Sequence, residues 1–526
     1  MIKRIISIIA AITLILLFSI TAFAAPPYDS YTYNSYMLPV QSPVSHIVDR
    51  EITGVSLGVG KFNEPSDFCV DRYNKIYILD SANKRVVVLN DSYECVAVID
   101  RFIYADNEDI KAIEESANKK LVGLLTFLNR PQGIFVDDSG MIFIADTDNN
   151  RIVKCDINGS VVNVFRRPDT ELLDANTPYQ PNKIIADKAG RIFILATNVN
   201  KGILQLNAKG EFVTFFGAPK VSFNILYEIL KRISTKEQRK SLPTFVPTEY
   251  ANLSIDSNGF IYVVANAIDK EQLKASFTSA PGDGSRERVA AVKKLSANGA
   301  DILTRMGLFP QVGDLSIANE KNVQTIYQAQ FSMFVDVASS DYGYYSCLDY
   351  SMGHVFTYDG DGNLLFVFGG KSAQKGCFRE PVAIGYMKDK IIVADKQSAS
   401  LTVFKPTDYG KTILAAVCDY VDGNYDQSEQ EWVKALKMNA NLDQAYLGMG
   451  KSLMRSGNYK EAMENFEIAN AMQDYSTALS QYMKETIGSK FMPIFLVICA
   501  VFLLWGIWKV VKRIRLFFKE GVNKVV

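Results

Sequence analysis

Carboxylates crowd one stretch, RPQGIFVDDSGMIFIADTDNNRIVKCDINGSVVNVF, which starts at Arg130. Oxygen ligands gathered in this way suit a hard cation such as calcium, and a positioned acid can move a proton. The same residue types are also ordinary turn chemistry, because Asx side chains hold their own backbone two residues on. Histidine chemistry is scarce. The two imidazoles, His46 and His354, cannot supply a three-His zinc centre. His354 lies in the turn YSMGHVF with no GxSxG beside it, so it reads as a solvated turn residue rather than a triad base. Seven Cys are present without a CxxC, which excludes a zinc ribbon or a thioredoxin-like motif. Cys69, Cys95 and Cys155 stand in strand-like apolar runs and read as buried thiols.

What must position such groups is an array. The plan of the Arg130 stretch returns from Glu64, Gln180, Glu249, Gln330 and Glu380. Each copy has short apolar runs separated by turns rich in Asp, Asn and Gly, the signal of consecutive strands joined by hairpins. A repeated four-stranded unit predicts a propeller. In this setting Asp146 ends a second strand, where it can hold turn amides and Arg151, and Asp80 with Arg85 repeats the arrangement. The acidic stretch is then a building unit, and Asn149 and Asn150 serve its tight turn.

The copy from Arg130, with its Pro-x-Gly opening and DDSGMIFIADTDNNRI, closely resembles an NHL repeat, and LDSANKRVVVL in the first copy resembles it well. The resemblance implies an all-β six-bladed propeller over residues 51–407. It implies little about function, since one scaffold hosts binders and enzymes. Six-bladed relatives include calcium-dependent lactonases, whose ligands converge on the channel mouth. Here the residues entering the first strands are Glu64, Arg130, Asn182, Glu249 and Glu380. Glu64, Asn182, Glu249 and Glu380 are therefore the candidate calcium ligands of a lactonase reading; the plainer reading is a rim of mutually paired polar residues.

Ring closure is predicted from the chain ends. Residues 52–59 resemble the outer strand of a later blade, whereas the sixth copy runs into DYGKTILAAVCDYVDGNY, where Ile413, Leu414, Val417 and Tyr420 have helical spacing. The sixth blade should take its fourth strand from near residues 52–59.

Beyond the propeller, GNYDQSEQEWVKAL and GNYKEAMENFEIAN start at Gly423 and Gly457, an offset of 457 − 423 = 34 residues. Tyr425 superposes on Tyr459, Trp432 on Phe466 and Ala435 on Ala469. The pattern resembles tetratricopeptide repeats and implies a small all-α domain over residues 408–487, a rigid stalk or a docking surface. Tyr425, Trp432, Tyr446, Tyr459 and Phe466 are its candidate partner-binding residues.

The termini predict a location. Residues 1–24 combine Lys3 and Arg4 with an apolar run and Ala22-Phe23-Ala24, which reads as a signal peptide. Residues 25–50, rich in Tyr, Ser and Pro, read as a linker or arm. One transmembrane helix is expected over residues 489–511, since residues 491–508 carry no charge. The tail 512–526 is basic and belongs in the cytoplasm. Propeller and stalk are then extracytoplasmic, on a bacterial-type cell membrane. Lys plus Arg and Asp plus Glu both number 57, so no field points to nucleic acid, and no cofactor is expected.

Long insertions, residues 101–129, 218–248, 268–288 and 307–329, fall on one face of the array, the usual binding face. Two have helical spacing: Ile110, Ile113, Ala117, Leu121, Leu124 and Leu128 in the first, and Val221, Ile225, Ile229 and Ile233 in the second. Such stripes ordinarily pack onto the rim. The expected role is an extracytoplasmic binder of a protein or glycan, its stalk docking a membrane-embedded protein partner.

Overall fold

The computed structural model describes residues 26–522 except 29, 37, 174–177, 198, 200, 218–249, 266–289, 306, 308 and 315–331. The signal-peptide reading of residues 1–24 and the second insertion helix lie outside the described residues. The chain divides into two units, Met1–Ile413 and Leu414–Val526.

The first unit is a six-bladed β-propeller. Blade one shows how the sequence builds a blade. Its strands are Pro65–Val70, Ile76–Asp80, Arg85–Leu89 and Cys95–Ile99, paired in that order. IYILD in the second strand is buried at every position, because both faces of an inner strand meet neighbouring blades. The outer strand CVAVI leaves Val96 and Val98 exposed, the alternation of an element with one wet face. Blades two, three, five and six repeat the four-stranded order, and the described part of blade four has three strands, Tyr250–Ile255, Ile261–Ala265 and Val292–Leu295.

The carboxylates of the Arg130 stretch are used as turn ligands. Asp137 Oδ1 accepts from the N–H groups of Ser139 and Met141, and Asp156 Oδ1 from those of Asn158 and Ser160. Asp146, fully buried, accepts from Asn129 N–H at 2.7 Å and from Arg151 Nε at 2.7 Å. Asp80 does the same for Asn63 N–H and Arg85 Nε, each at 2.7 Å. Each such Asp ties a blade's second strand to the loop leading into its first.

The ring closes through the strand β3, His46–Thr53, which pairs antiparallel with the third strand of blade six, Ser400–Pro406. The register runs from Ser400 opposite Thr53 to Pro406 opposite His46. The fourth strand thus comes from the N-terminal side, but mostly from residues before 52–59, of which Ile52 and Thr53 form its end. Most of those residues form the following turn, in which Val59 N–H donates to Gly54 O. β3 carries Asp, Arg and Glu where a strand search expects alternation. Asp49 is accommodated by Lys390 at 2.8 Å and Lys405 at 3.4 Å.

Residues 25–50 are not a plain linker. Two short strands, β1 (Tyr31–Tyr33) and β2 (Pro39–Gln41), extend the outer edge of blade five. Tyr28 buries its ring against Phe368 and Phe404 and donates to His46 O at 2.8 Å. An added strand covers an edge that would otherwise offer unpaired backbone groups. The first insertion does likewise at blade two, where Phe102–Tyr104 runs parallel to Ser160–Arg166. Its helix α1 is short, Glu108–Ala117, stopped by Asn118 in the left-handed conformation. The expected stripe therefore breaks: Ile110 is buried, but Leu124 is exposed beyond the helix.

His46 is fully buried, stacked on Phe368 at 4.8 Å between ring centroids, and its Nε2 has no hydrogen-bond partner. Burial lowers its pKa to about 3. The unfolded chain protonates this imidazole below about pH 6.5 while the folded chain does not. The folded value is depressed, so stability is whole above the unfolded pKa and drains as pH falls, at about 1.4 kcal/mol per unit. His46→Leu should gain roughly 3 kcal/mol on wild type between pH 7 and pH 4. Urea titration read by proteolysis of the propeller checks this; parallel pH profiles would refute it.

The second unit is helical. α2 (Asp408–Val421) spans the division and is followed by α3 (Tyr425–Met438), α4 (Asp443–Arg455) and α5 (Tyr459–Ile468). Gly423 and Gly457 both take positive φ, +83° and +87°, at the two equivalent turns. The last helix, α6 (Met472–Val522), runs 51 residues with Pro493 inside it. The end of the helical domain and the apolar run are thus one continuous helix rather than two elements. α6 has a segment long and apolar enough to cross a membrane by length and composition.

Candidate functional site

The first strands of blades one, three, four, five and six each carry a register shift, at Pro65/Asp67, Pro181/Lys183, Tyr250/Asn252, Phe334/Asp336 and Pro381/Ala383. A bulge re-aims the side chain that follows it. The residues so placed are Asp67, Lys183, Asn252, Asp336 and Ala383, and Gly133 takes the matching place in blade two.

Their contacts show that these positions converge. Lys183 Nζ, from blade three, lies 2.7 Å from both carboxylate oxygens of Asp67 in blade one. The bond passes blade two at Gly133, where a Cβ would meet Asn182 O at 2.6 Å and Lys183 Cα at 3.0 Å. Glycine here lets two first strands approach closely. Asp67 Oδ2 also accepts from Ile134 N–H at 2.9 Å, and Asp336 Oδ2 from Ile384 N–H at 2.8 Å. Each carboxylate stitches its blade to the next.

Burial pushes the Asp67 carboxyl up, while the Lys183 ammonium pulls it down. Burial lifts Asp336 to about 7, with Lys183 only partly opposing it. Burial disfavours the charged form of Lys183, but Asp67 and Asp336 outweigh it and raise its pKa. Asp67 and Lys183 are placed as a buried ion pair, and Asp336 titrates near neutrality.

At the mouth, Glu64 and Glu380 come together on one cation, Lys396, at 3.4 and 3.9 Å. Arg130 pairs with Asp148 at 3.5 Å instead of joining them. Asn182 lies in the bulge with a buried Oδ1 that has no hydrogen-bond partner. Glu249 lies outside the described residues. Among the described residues no group of three or more His, Cys, Asp or Glu is arranged to hold a metal ion. His354 is not simply solvated: its Nδ1 lies 3.3 Å from Tyr31 Oη and its ring packs on Tyr31 and Phe356.

The aromatic set of the helical unit separates into two kinds. Trp432 and Phe466 are buried, at 3% and 0% exposure. Trp432 covers Gly448 and Phe466 covers Gly450, where a Cβ would collide with the rings at 2.3 and 2.6 Å. These two hold helices together and are not available to a partner, contrary to the sequence expectation. Tyr425, Tyr446 and Tyr459 are half-buried.

Sequence reasoning singled out Glu64 and Glu380 and missed the ring. The signal was present in the array: two places after the strand-opening Pro stand Asp67, Gly133, Lys183 and Ala383, one position reading acid, nothing, base, nothing.

Fold and ring together define a six-bladed β-propeller whose channel is bridged by a buried charge cluster. The NHL repeat family model matches residues 128–155, within blade two. Comparison with curated proteins finds no match. Among solved structures, virginiamycin B lyase from Staphylococcus aureus is 10% identical, with 68% of this chain and 98% of that chain covered and a TM-score of 0.37. A gluconolactonase from Xanthomonas campestris is 9% identical, with 73% and 99% covered and a TM-score of 0.34. Superpositions this loose carry nothing about activity.

Proposed function

We propose that the chain is a membrane-anchored extracytoplasmic binding and scaffold protein. In this reading the propeller takes a protein or glycan ligand, and the helical unit docks a membrane-embedded protein. The observation that carries it is α6. Its apolar window is 0% buried within the chain, and residues 491–508 carry no charge. Lys509, Lys512, Arg513, Arg515, Lys519 and Lys524 follow, which supports a cytoplasmic tail. The 34-residue offset of the two helical hairpins supports a tetratricopeptide reading of the stalk. The described channel groups hold one another and neighbouring backbone amides, which is a stitching role.

Protease added to spheroplasts should digest the propeller and leave the C-terminal tail protected. A protected propeller would overturn the topology.

One observation favours a second reading, a calcium-dependent lactonase-type propeller. Asn182 Oδ1 is an oxygen atom kept buried and unpartnered in the first-strand bulge of blade three. Against it, Glu64 and Glu380 already share Lys396. On the binding reading, calcium titration should give the same weak response for wild type and for the Glu64→Ala/Glu380→Ala double variant. Tight binding by wild type that the variant loses would favour the lactonase.

A further inference from the structure

The extramembrane part of α6 has an unusual face. Ala478 is fully buried on the side that packs against α5. On another side Leu479, Met483 and Ile487 are 36%, 50% and 57% exposed. Spacing of four residues puts them in one stripe. The stripe continues without interruption through Phe491, Ile494 and Ile498, at 58%, 56% and 48% exposure. Ser476, Ser480 and Gly488 flank it, and with Leu479, Met483, Ile487 and Phe491 they line a shallow groove that also includes Lys484. From Ser476 to Ile487 the helix rises about 16 Å at 1.5 Å per residue. That is some three turns of apolar surface standing in water above the apolar run, and exposed contiguous apolar surface marks an interaction site.

We propose that this stripe is the seat of a transmembrane helix of another integral membrane protein, which crosses the bilayer beside α6 and continues about three turns above it. The inference rests on the membrane-anchored reading above. Three features choose the occupant. The groove merges with the membrane-crossing segment, so whatever covers it must also enter the bilayer. Ser and Gly at spacings of four and eight let a second backbone approach closely, as membrane helix pairs do.

The third feature is charge. Among the described residues Lys484 is the one charged side chain lining the groove, so the partner should present a carboxylate at its height, about 10 Å above Phe491 along the helix axis. A second copy of this chain fits poorly. Both copies share one membrane orientation, so Lys484 would face Lys484 and the basic tails would lie side by side. Like charges opposed in an interface disfavour that pairing.

The test is site-specific photocrosslinking of the full-length chain in its native membranes. A photoreactive amino acid is placed at Leu479, Met483 or Ile487, and at Glu485 as the control, since Glu485 is turned roughly 200° from Met483. The expected result is one adduct from the three stripe positions, absent from the control, with a protein that resists alkaline extraction. Lys484→Glu should reduce the adduct roughly tenfold, the loss expected on unpairing a partly desolvated charge, and Lys484→Arg should retain it.

An adduct of twice the chain's own mass, lipid adducts alone, no adduct, or an adduct indifferent to Lys484→Glu would each overturn the proposal. Alkaline extraction of the chain itself separates the two levels. A chain released by alkali defeats the anchored reading. A chain that stays in the membrane without the adduct defeats only the seat proposed here.

Discussion

A chain beginning at Phe62 should fail to give a soluble propeller, whereas one beginning at Pro26 should fold. The difference is β3 together with the arm before it. Without β3 the third strand of blade six, Ser400–Pro406, becomes an exposed edge of seven residues, all but Lys405 buried in the intact ring. Such an edge pairs with other molecules. The loss also strips cover from Leu401 and Val403 and removes Ile52, all of one core cluster. Full burial of one such side chain contributes about 1.5–3 kcal/mol, and a domain's net stability is only about 5–15 kcal/mol. A chain beginning at Ser45 keeps β3 and loses β1 and β2. It should remain soluble with a lowered melting temperature, because the Tyr28 ring and the Ser30 bond to Val367 O are gone. Size-exclusion profiles and melts of the three chains decide it; equal behaviour would mean that the ring does not depend on its N-terminal strand.

The second large effect belongs to the channel. Lys183→Met should cost about 3–5 kcal/mol at pH 7.5, the usual loss when one partner of a buried ion pair is removed. It leaves Asp67 and Asp336, both nearly inaccessible to solvent, without their cation. The variant should recover on acidification. Both carboxyls have folded pKa values above the unfolded one, so the folded state takes up protons first and gains stability as pH falls towards the unfolded value. The double variant Asp67→Asn/Lys183→Met should regain most of the loss, since the amide oxygen can still accept from Ile134 N–H. Urea titrations at pH 7.5 and pH 5 measure all three. A loss under about 1 kcal/mol for Lys183→Met, or no recovery at pH 5, would show that the pair behaves like a surface bridge.

The blades were legible in the sequence because each is set by local rules. Period-two apolar runs and Asx turns are written within a few residues, and the Asp146–Arg151 contact spans only five. What was not legible depends on convergence. Lys183 meets Asp67 across 116 residues and past a whole blade, through bulges that shift the register by one. A one-residue shift changes which side chain faces the axis, so attention fell on Glu64 and Glu380, which instead share Lys396 at the rim. The closing strand was misplaced for a related reason. HIVDREIT looks wrong for a strand until Lys390 and Lys405 are seen beside Asp49. In the helical unit the 34-residue offset was plain, yet aromatic type alone did not say that Trp432 and Phe466 face inward onto glycines.

The closing strand also bears on how the molecule carries tension. The chain leaves the propeller through Ser400–Pro406 and turns at once into α2 at Asp408. A pull applied between the C-terminal helix and the propeller therefore enters at an inner strand. That strand is held along one side by Lys390–Asp395 and along the other by β3. Had the outermost strand come last in the chain, the load would peel an edge one hydrogen bond at a time. Here a strand flanked on both sides must slide against two ladders together, and the load is shared. Under force the propeller should stay intact while the helical hairpins that follow it extend first.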